Sequence, residues 1–317
     1  MAGSYRKINY TIRPAKSVER KMLCDIFRKL NDFYTIDSYR YIGFGAVYFS
    51  DFVLFHRMLG IRNMVSIEST LSENVKRRFE FNAPYKYIEL KFGKSWEVLP
   101  TLEWRDIPTI LWLDYDGLLE SNCLRDIETF FSSATSGSVC LASFNIQDDP
   151  DSGAGTPLDR LKTQIGEENV PRDVGANSLS GWDRADIFRR IITNKIEEIL
   201  SQRNGSMPDN AKLCYRQLFN FHYSDGALML TVGGIIYGSG QKHLLDKCAF
   251  TNLRFCKDGS EPYKINIPKL TFKEIRHLES LMPISEESYK TINIPQSEII
   301  QYCEVYRYFP IFAESEV

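Results

Sequence analysis

The sequence predicts an α/β fold: a doubly wound, mostly parallel sheet of about seven strands ending in an antiparallel hairpin, with a helical insertion and a small C-terminal helical appendage. Three observations predict it. Between residues 39 and 144, short apolar runs alternate with helical stripes, as parallel strands alternate with crossover helices. After a shift in composition, two long strand-like runs flank Ser224-Asp225-Gly226, a tight-turn signal. The 317 residues are about twice a typical domain, so one enlarged core can be buried.

The first element is a helix. Val18, Met22, Leu23, Ile26, Phe27, Leu30 and Phe33 form one stripe at a 3.6-residue period, and Pro14 suits the first turn. Arg13, Lys16, Arg20 and Lys21 flank that stripe. A solvated face accounts for them most simply; a contact to phosphate or carboxylate is the sharper reading.

Strand one is Tyr39 to Ile42 and runs into Gly43-Phe44-Gly45. A helix follows through Phe52, Phe55 and Leu59, capped by Ser50 or Asp51 and closed by Gly60. Strand two, Met64 to Ile67, ends in Glu68, and the next helix carries Leu71, Val75 and Phe79. Strand three is Tyr87 to Leu90, followed by a short helix around Trp96 that Pro100 ends. Strand four, Thr109 to Leu113, is nearly all apolar, as a strand buried on both faces must be. Leu119, Cys123, Leu124, Ile127 and Phe131 mark a helix, and Ser138 to Phe144 is strand five.

Residues 148–155 form a turn-rich acidic loop. Residues 150–207 read as a helical insertion lying at the active edge of the sheet, with a long helix over 183–202. The hairpin arms are Leu213 to Tyr223, with Tyr215, Gln217, Phe219, Phe221 and Tyr223 on one face, and Ala227 to Tyr237. Gly233-Gly234 marks a bulge or a close backbone approach. Thr271 to Glu274 is a capping box opening a helix that Pro283 ends, and a last helix covers 298–308. The expected organisation is an N-terminal helical segment (1–35), a core (36–149 and 208–250), the insertion (150–207) and the appendage (251–317).

Composition narrows the function. With 39 basic against 41 acidic residues the formal charge is −2, which excludes a globally basic nucleic-acid binder. No apolar run is long enough to span a membrane, and residues 1–7 lack the apolar stretch of a secretion signal. The seven cysteines are odd in number and form no CxxC pair, and the four histidines do not cluster. Reduced thiols in a cytoplasmic protein are expected.

Ligands of doubly wound sheets bind at the carboxyl ends of the strands, where strand order reverses. Gly43-Phe44-Gly45 follows strand one, where glycines let backbone approach a ligand. Glu68 ends strand two, where a carboxylate can accept both hydroxyls of a ribose. Together they favour a nucleoside-containing cofactor, and the closing hairpin argues against a nicotinamide dehydrogenase. This pattern resembles the class I S-adenosylmethionine-dependent methyltransferases, whose Rossmann-like sheet ends in an antiparallel strand. Residues 93–102 and 110–117 also look like the "GDAxxxLPxL … hhhhDADK" stretch of O-methyltransferases.

The resemblance implies S-adenosylmethionine as cofactor. Gly43, Phe44 and Gly45 would line its methionine end, Glu68 and Ser69 its ribose, and Lys94 and Ser95 its adenine. Asp114 would sit beside the transferable methyl, and Asp114 or Asp116 would act as general base or position the nucleophile. Asp116-Gly117 also reads as a plain turn, with Asp116 capping the next helix. The sequence departs from the family at three places: Tyr41 replaces an acid, Val47 a glycine and Lys94 an aspartate. A Mg²⁺ site on Asp114 and Asn145 would lack a carboxylate and is not expected.

The expected activity is methyl transfer, O-directed, to an acceptor that no motif identifies. A nucleic-acid methyltransferase is the second reading, supported by the basic first helix, Lys76-Arg77-Arg78 and the C-terminal helices. The acidic tail and the absence of an Asp/Asn-Pro-Pro-Tyr signature disfavour it. A noncatalytic cofactor-binding or interaction protein of the same fold is the third. No motif specifies an oligomeric state.

Overall fold

The computed structural model describes residues 13–147, 155–175, 178–285, 289 and 292–310. The acidic loop predicted at 148–155 lies, except for Gly155, outside the described residues, as does the boundary placed at 149/150.

Eight strands form one sheet in the order β3-β2-β1-β4-β5-β7-β6-β8. They are β1 (Arg40–Gly43), β2 (Asn63–Glu68), β3 (Ile88–Phe92), β4 (Thr109–Asp114), β5 (Val139–Asn145), β6 (Leu213–Ser224), β7 (Leu228–Gly238) and β8 (Tyr263–Ile265). The first five pair in parallel. β7 runs antiparallel to both β5 and β6, and β8 pairs in parallel with β6. Strand order reverses between β1 and β4, which places the switch point there. The expected doubly wound sheet is thus present, with one strand more than about seven. The extra strand comes from the region read as an appendage, so that region joins the main sheet. Its helices also hold a small core of their own around Leu278, Ile299 and Tyr302.

Ten helices are described: α1 (Pro14–Arg28), α2 (Ser50–Leu59), α3 (Glu73–Asn82), α4 (Ser95–Val98), α5 (Ser121–Ser133), α6 (Pro157–Ile165), α7 (Asp183–Asn204), α8 (Lys242–Lys247), α9 (Phe272–Leu281) and α10 (Gln296–Val305). Alternation along the strands divides the core in two. Ile110 and Trp112 of β4 pack with α1 and α2; Leu111 and Leu113 pack with α5 and α7. Ile187, Ile191, Ile192, Ile196 and Leu200 of α7 are all buried, as their spacing predicts. Each contributes about 1.5–3 kcal/mol of burial. No helix among the described residues is long and apolar enough to cross a membrane.

Four local expectations are corrected. α7 packs along α5 and β6, as a crossover helix between parallel strands does, instead of lying over the strand ends. α2 starts with Phe49 at its cap position, not with Ser50 or Asp51 as the cap. Leu71 precedes α3 and is 91% exposed. Tyr215 parts from Phe219, Phe221 and Tyr223, because β6 carries a bulge at Leu218 and the register jumps from Gln217–Gly234 to Phe219–Gly233. Tyr215 therefore packs on Phe131 of α5, while Phe219 packs on Phe27 of α1. The close backbone approach at Gly233-Gly234 is real: a Cβ on Gly233 would lie 2.2 Å from the Cys140 carbonyl oxygen, and one on Gly234 2.0 Å from that of Arg216.

Candidate active site

Glu68 and Asp114 end β2 and β4, the two neighbours of β1. Between them β1 runs out into Phe44 and Gly45. The turn that follows holds Ala46 at φ 48° and Phe49 at φ 47°, left-handed values that cost a non-glycine residue about 1–3 kcal/mol. The glycines serve internal packing. A Cβ on Gly43 would lie 2.4 Å from the Tyr41 hydroxyl, and one on Gly45 2.5 Å from the Phe49 ring and 2.7 Å from Ser66 Oγ.

Glu68 is tied to this turn. The Gly45 amide donates to Ser66 Oγ at 3.0 Å, and Ser66 Oγ donates to Glu68 Oε1 at 2.7 Å. Burial pushes the Glu68 carboxyl up to about 8, against the opposing pull of Ser66 and of the Gly45 and Ala46 backbone. Ser69, the next residue, is exposed.

Asp114 lies in a different electrostatic setting. Its Oδ1 accepts from Lys16 Nζ at 2.5 Å. Lys16 is fully buried on the first turn of α1. The ammonium also donates to the Tyr223 hydroxyl at 3.1 Å, lies 2.9 Å from Glu19 Oε2 and sits 4.3 Å from the centre of the Trp112 ring. Ser143 Oγ receives Trp112 Nε1 at 3.0 Å and meets Thr231 Oγ1 at 2.7 Å, closing the floor of the cluster. Burial alone would raise the Asp114 carboxyl. Lys16, with Arg20 and Arg13 behind it, more than offsets that and holds it below the usual carboxylate range.

The carboxylate reading of the basic residues on α1 is therefore the correct one for Lys16, and the solvated-face reading fails. Arg20 is also buried, and Lys21 donates to the Tyr308 carbonyl at 2.9 Å. The signal available in the sequence was Lys16-Glu19, an i,i+3 pair in line with apolar Leu23. Asp51 was missed for a related reason. Its carboxyl meets the Tyr41 hydroxyl under α2. A buried carboxylate thus approaches the position where Tyr41 replaces the family's acid. Burial raises the Asp51 carboxyl, and Arg20 opposes that.

On the adenine side the expected residues separate. Lys94 is exposed, with its ammonium 5.5 Å from the Trp96 ring centre. Ser95 turns inward and donates to Asp126 Oδ2 at 2.5 Å, the same oxygen that receives the Tyr115 hydroxyl at 2.6 Å. Burial pushes Asp126 up to about 6 despite both donors. Tyr115 meets Phe44 edge-on at 5.5 Å across the switch point. Phe44, Ser95, Tyr115 and Asp126 therefore form one contact chain, and Lys94 does not.

Asp116 is exposed in a bend. It does not cap α5, whose cap position is Glu120. Asn145 Oδ1 accepts from the Gln147 amide at 2.8 Å, and the strand neighbour of Asp114 is Ser143. Among the described residues no group of three or more His, Cys, Asp or Glu side chains could hold a metal ion.

Residues 8–317 match a protein-family model described as "Putative O-methyltransferase". No curated protein matches the chain. Among solved structures, cofactor-bound Rv0187 from MTB is similar at 14% identity, over 73% of this chain and 82% of that one, with a TM-score of 0.37. The O-methyltransferase TomG from Streptomyces achromogenes, solved with SAM, is similar at 13% identity over 69% and 80%, with a TM-score of 0.38. Human N-acetylserotonin methyltransferase, also solved with SAM, is similar at 12% identity over 67% and 52%, with a TM-score of 0.32. These likenesses are distant, and the functional reading rests on the family match and the site's own geometry.

Proposed function

The chain belongs to the O-methyltransferase family whose model spans residues 8–317, and on that premise we propose that it transfers the sulfonium methyl of S-adenosylmethionine to an oxygen of its acceptor. The observation that carries this reading is the pair of carboxyl groups, Glu68 and Asp114, at the carboxyl ends of the two strands flanking β1. A nucleoside with an amino-acid tail needs an acceptor for its ribose hydroxyls and a charged pair for its ammonium and carboxylate.

The donor set fits such a molecule. Glu68 would take the ribose and Asp114 the ammonium. Arg20, buried behind Lys16, adds positive charge near Asp114. Phe44 and Tyr115, in edge contact across the switch point, would flank the bound molecule. Ser95 is better read as a brace on Asp126 than as an adenine contact.

When bound, the sulfonium supplies an activated methyl, so the protein need only hold the acceptor oxygen in line and receive its proton. The ion pair makes Asp114 a weak base, so its role shifts from base to anchor. Asp116 is exposed on the same loop and would receive the proton.

Calorimetric titration with S-adenosylmethionine, S-adenosylhomocysteine and NAD tests the proposal, with Glu68→Ala as control. Binding of both sulfur nucleosides, weakened in the control, and no binding of NAD are expected. Failure of the wild-type chain to bind either sulfur nucleoside would refute it.

A further inference from the structure

We propose that Lys16 is a positioning residue: from the first turn of α1 it keeps the Asp114 carboxylate ionised and oriented to receive the ammonium of the donor's amino-acid tail. The inference rests on the proposed use of S-adenosylmethionine and assigns a role to an element outside the five-strand motif.

The geometry begins at the hairpin turn. Asp225, between β6 and β7, accepts the amides of Ala15 at 3.1 Å and Lys16 at 2.8 Å. Pro14 occupies the first turn and has no amide to satisfy. A carboxylate at a helix N-terminus is favourable both as a hydrogen-bond acceptor and toward the helix dipole. Asp225 therefore fixes where α1 starts, and with it where Lys16 points.

Lys16 then reaches Asp114 under conditions that leave it no other purpose at the surface. Its side chain has no exposure, whereas that of Asp114 is 21% exposed. The lysine cannot touch a ligand, and the aspartate can. One carboxylate oxygen is bound to the ammonium, so the remainder of the exposed group is what a ligand meets. A buried, unpaired carboxylate would protonate and could not hold a cationic ligand.

Other charged groups face the pair from every packed element. From α1 come Arg13, Glu19 and Arg20, from β1 Tyr41, from α2 Asp51 and from β6 Tyr223. Asp51 and Asp114 oppose each other's ionisation; Arg13 and Arg20 lie behind Lys16 in favouring that of Asp114. Lys16 is the cation in contact.

The test is S-adenosylhomocysteine affinity by calorimetry from pH 5.5 to 8.5 for wild type, Lys16→Met and Lys16→Arg. Glu68 titrates in the same range and contributes to all three, so the readout is the difference between profiles. Lys16→Met is expected to lose about tenfold more affinity than wild type toward pH 5.5, because without its contacting cation burial protonates the Asp114 carboxyl across that range and a neutral acid no longer attracts the ammonium. Lys16→Arg should follow the wild-type profile. Parallel profiles for Lys16→Met and wild type overturn the proposal even if affinity is lower overall, because a structural role moves affinity and not its pH dependence. No binding by wild type refutes the cofactor reading as well, which separates the two failures. If Lys16→Met does not fold, the carboxyl ¹³C resonance that Asp114→Asn removes from the wild-type spectrum decides: titration at or above the ordinary aspartate value overturns the proposal.

Discussion

The carboxyl groups on either side of β1 both end strands, Glu68 buried and Asp114 partly exposed, yet they are driven in opposite directions. Glu68 has hydrogen-bond donors but, among the described residues, no cation in contact, and burial pushes it up to about 8. Asp114 has Lys16 at 2.5 Å and is held below the ordinary range. At Glu68 neutral donors do not offset the loss of water around the carboxylate, whereas at Asp114 a buried ammonium backed by Arg20 and Arg13 does. A site that must hold a hydroxyl pair on one side and an ammonium on the other can use that division.

The largest expected effect breaks the Asp114 side. Lys16→Met leaves Asp114 and Glu19 without their cation, and such losses cost about 3–5 kcal/mol. Glu68→Gln, by contrast, removes a group that stays mostly protonated in the folded protein at pH 7 but ionises in the unfolded chain, so the variant should be more stable than wild type there. Urea unfolding of both variants at pH 7 measures this; equal losses would end the comparison.

Glu68 also has a distinct pH signature. Its folded-state value of about 8 lies above the ordinary value of 4.5. Its contribution to stability is therefore complete below the ordinary value and is lost as pH rises toward 8. Glu68→Gln does not titrate, so the variant should gain on wild type by about 1.4 kcal/mol per pH unit across that window. The Asp114 contribution runs the other way: it is present above the ordinary aspartate range and lost as pH falls through its lowered value. Stability curves of Asp114→Asn should converge on wild type in acid, and those of Glu68→Gln should diverge from it toward alkali.

How far the sequence revealed this site follows from what each residue depends on. Strand-end residues were legible because period and position alone put Glu68 and Asp114 at the carboxyl edge. The family resemblance added their chemistry. Lys16 and Asp51 were not legible, because their partners lie 98 positions away in Asp114 and beneath a helix on Tyr41. A buried ion pair has the same residue types as a solvated face. The bulge at Leu218 was equally hidden: one extra residue reverses the face of Tyr215 without disturbing the alternation around it. α7 was found by its period, but its site against α5 and β6 depends on the crossover between β5 and β6.

Asp126 offers a third case by which to sharpen the rule, with the smallest effect. Two neutral donors converge on its Oδ2, from Ser95 and Tyr115, and burial still pushes it up to about 6. If neutral donors moderate but never reverse desolvation, Ser95→Ala should push Asp126 higher without neutralising it fully. One lost hydrogen bond to a buried group costs about 1 kcal/mol. That cost should grow with pH, because Ser95 favours the charged form and its removal matters most where the carboxyl would otherwise ionise. The loss is therefore expected to be larger at pH 8 than at pH 5 in urea unfolding. A loss independent of pH would mean that Ser95 only packs against Asp126, and that its hydrogen bond has no part in holding the carboxyl down.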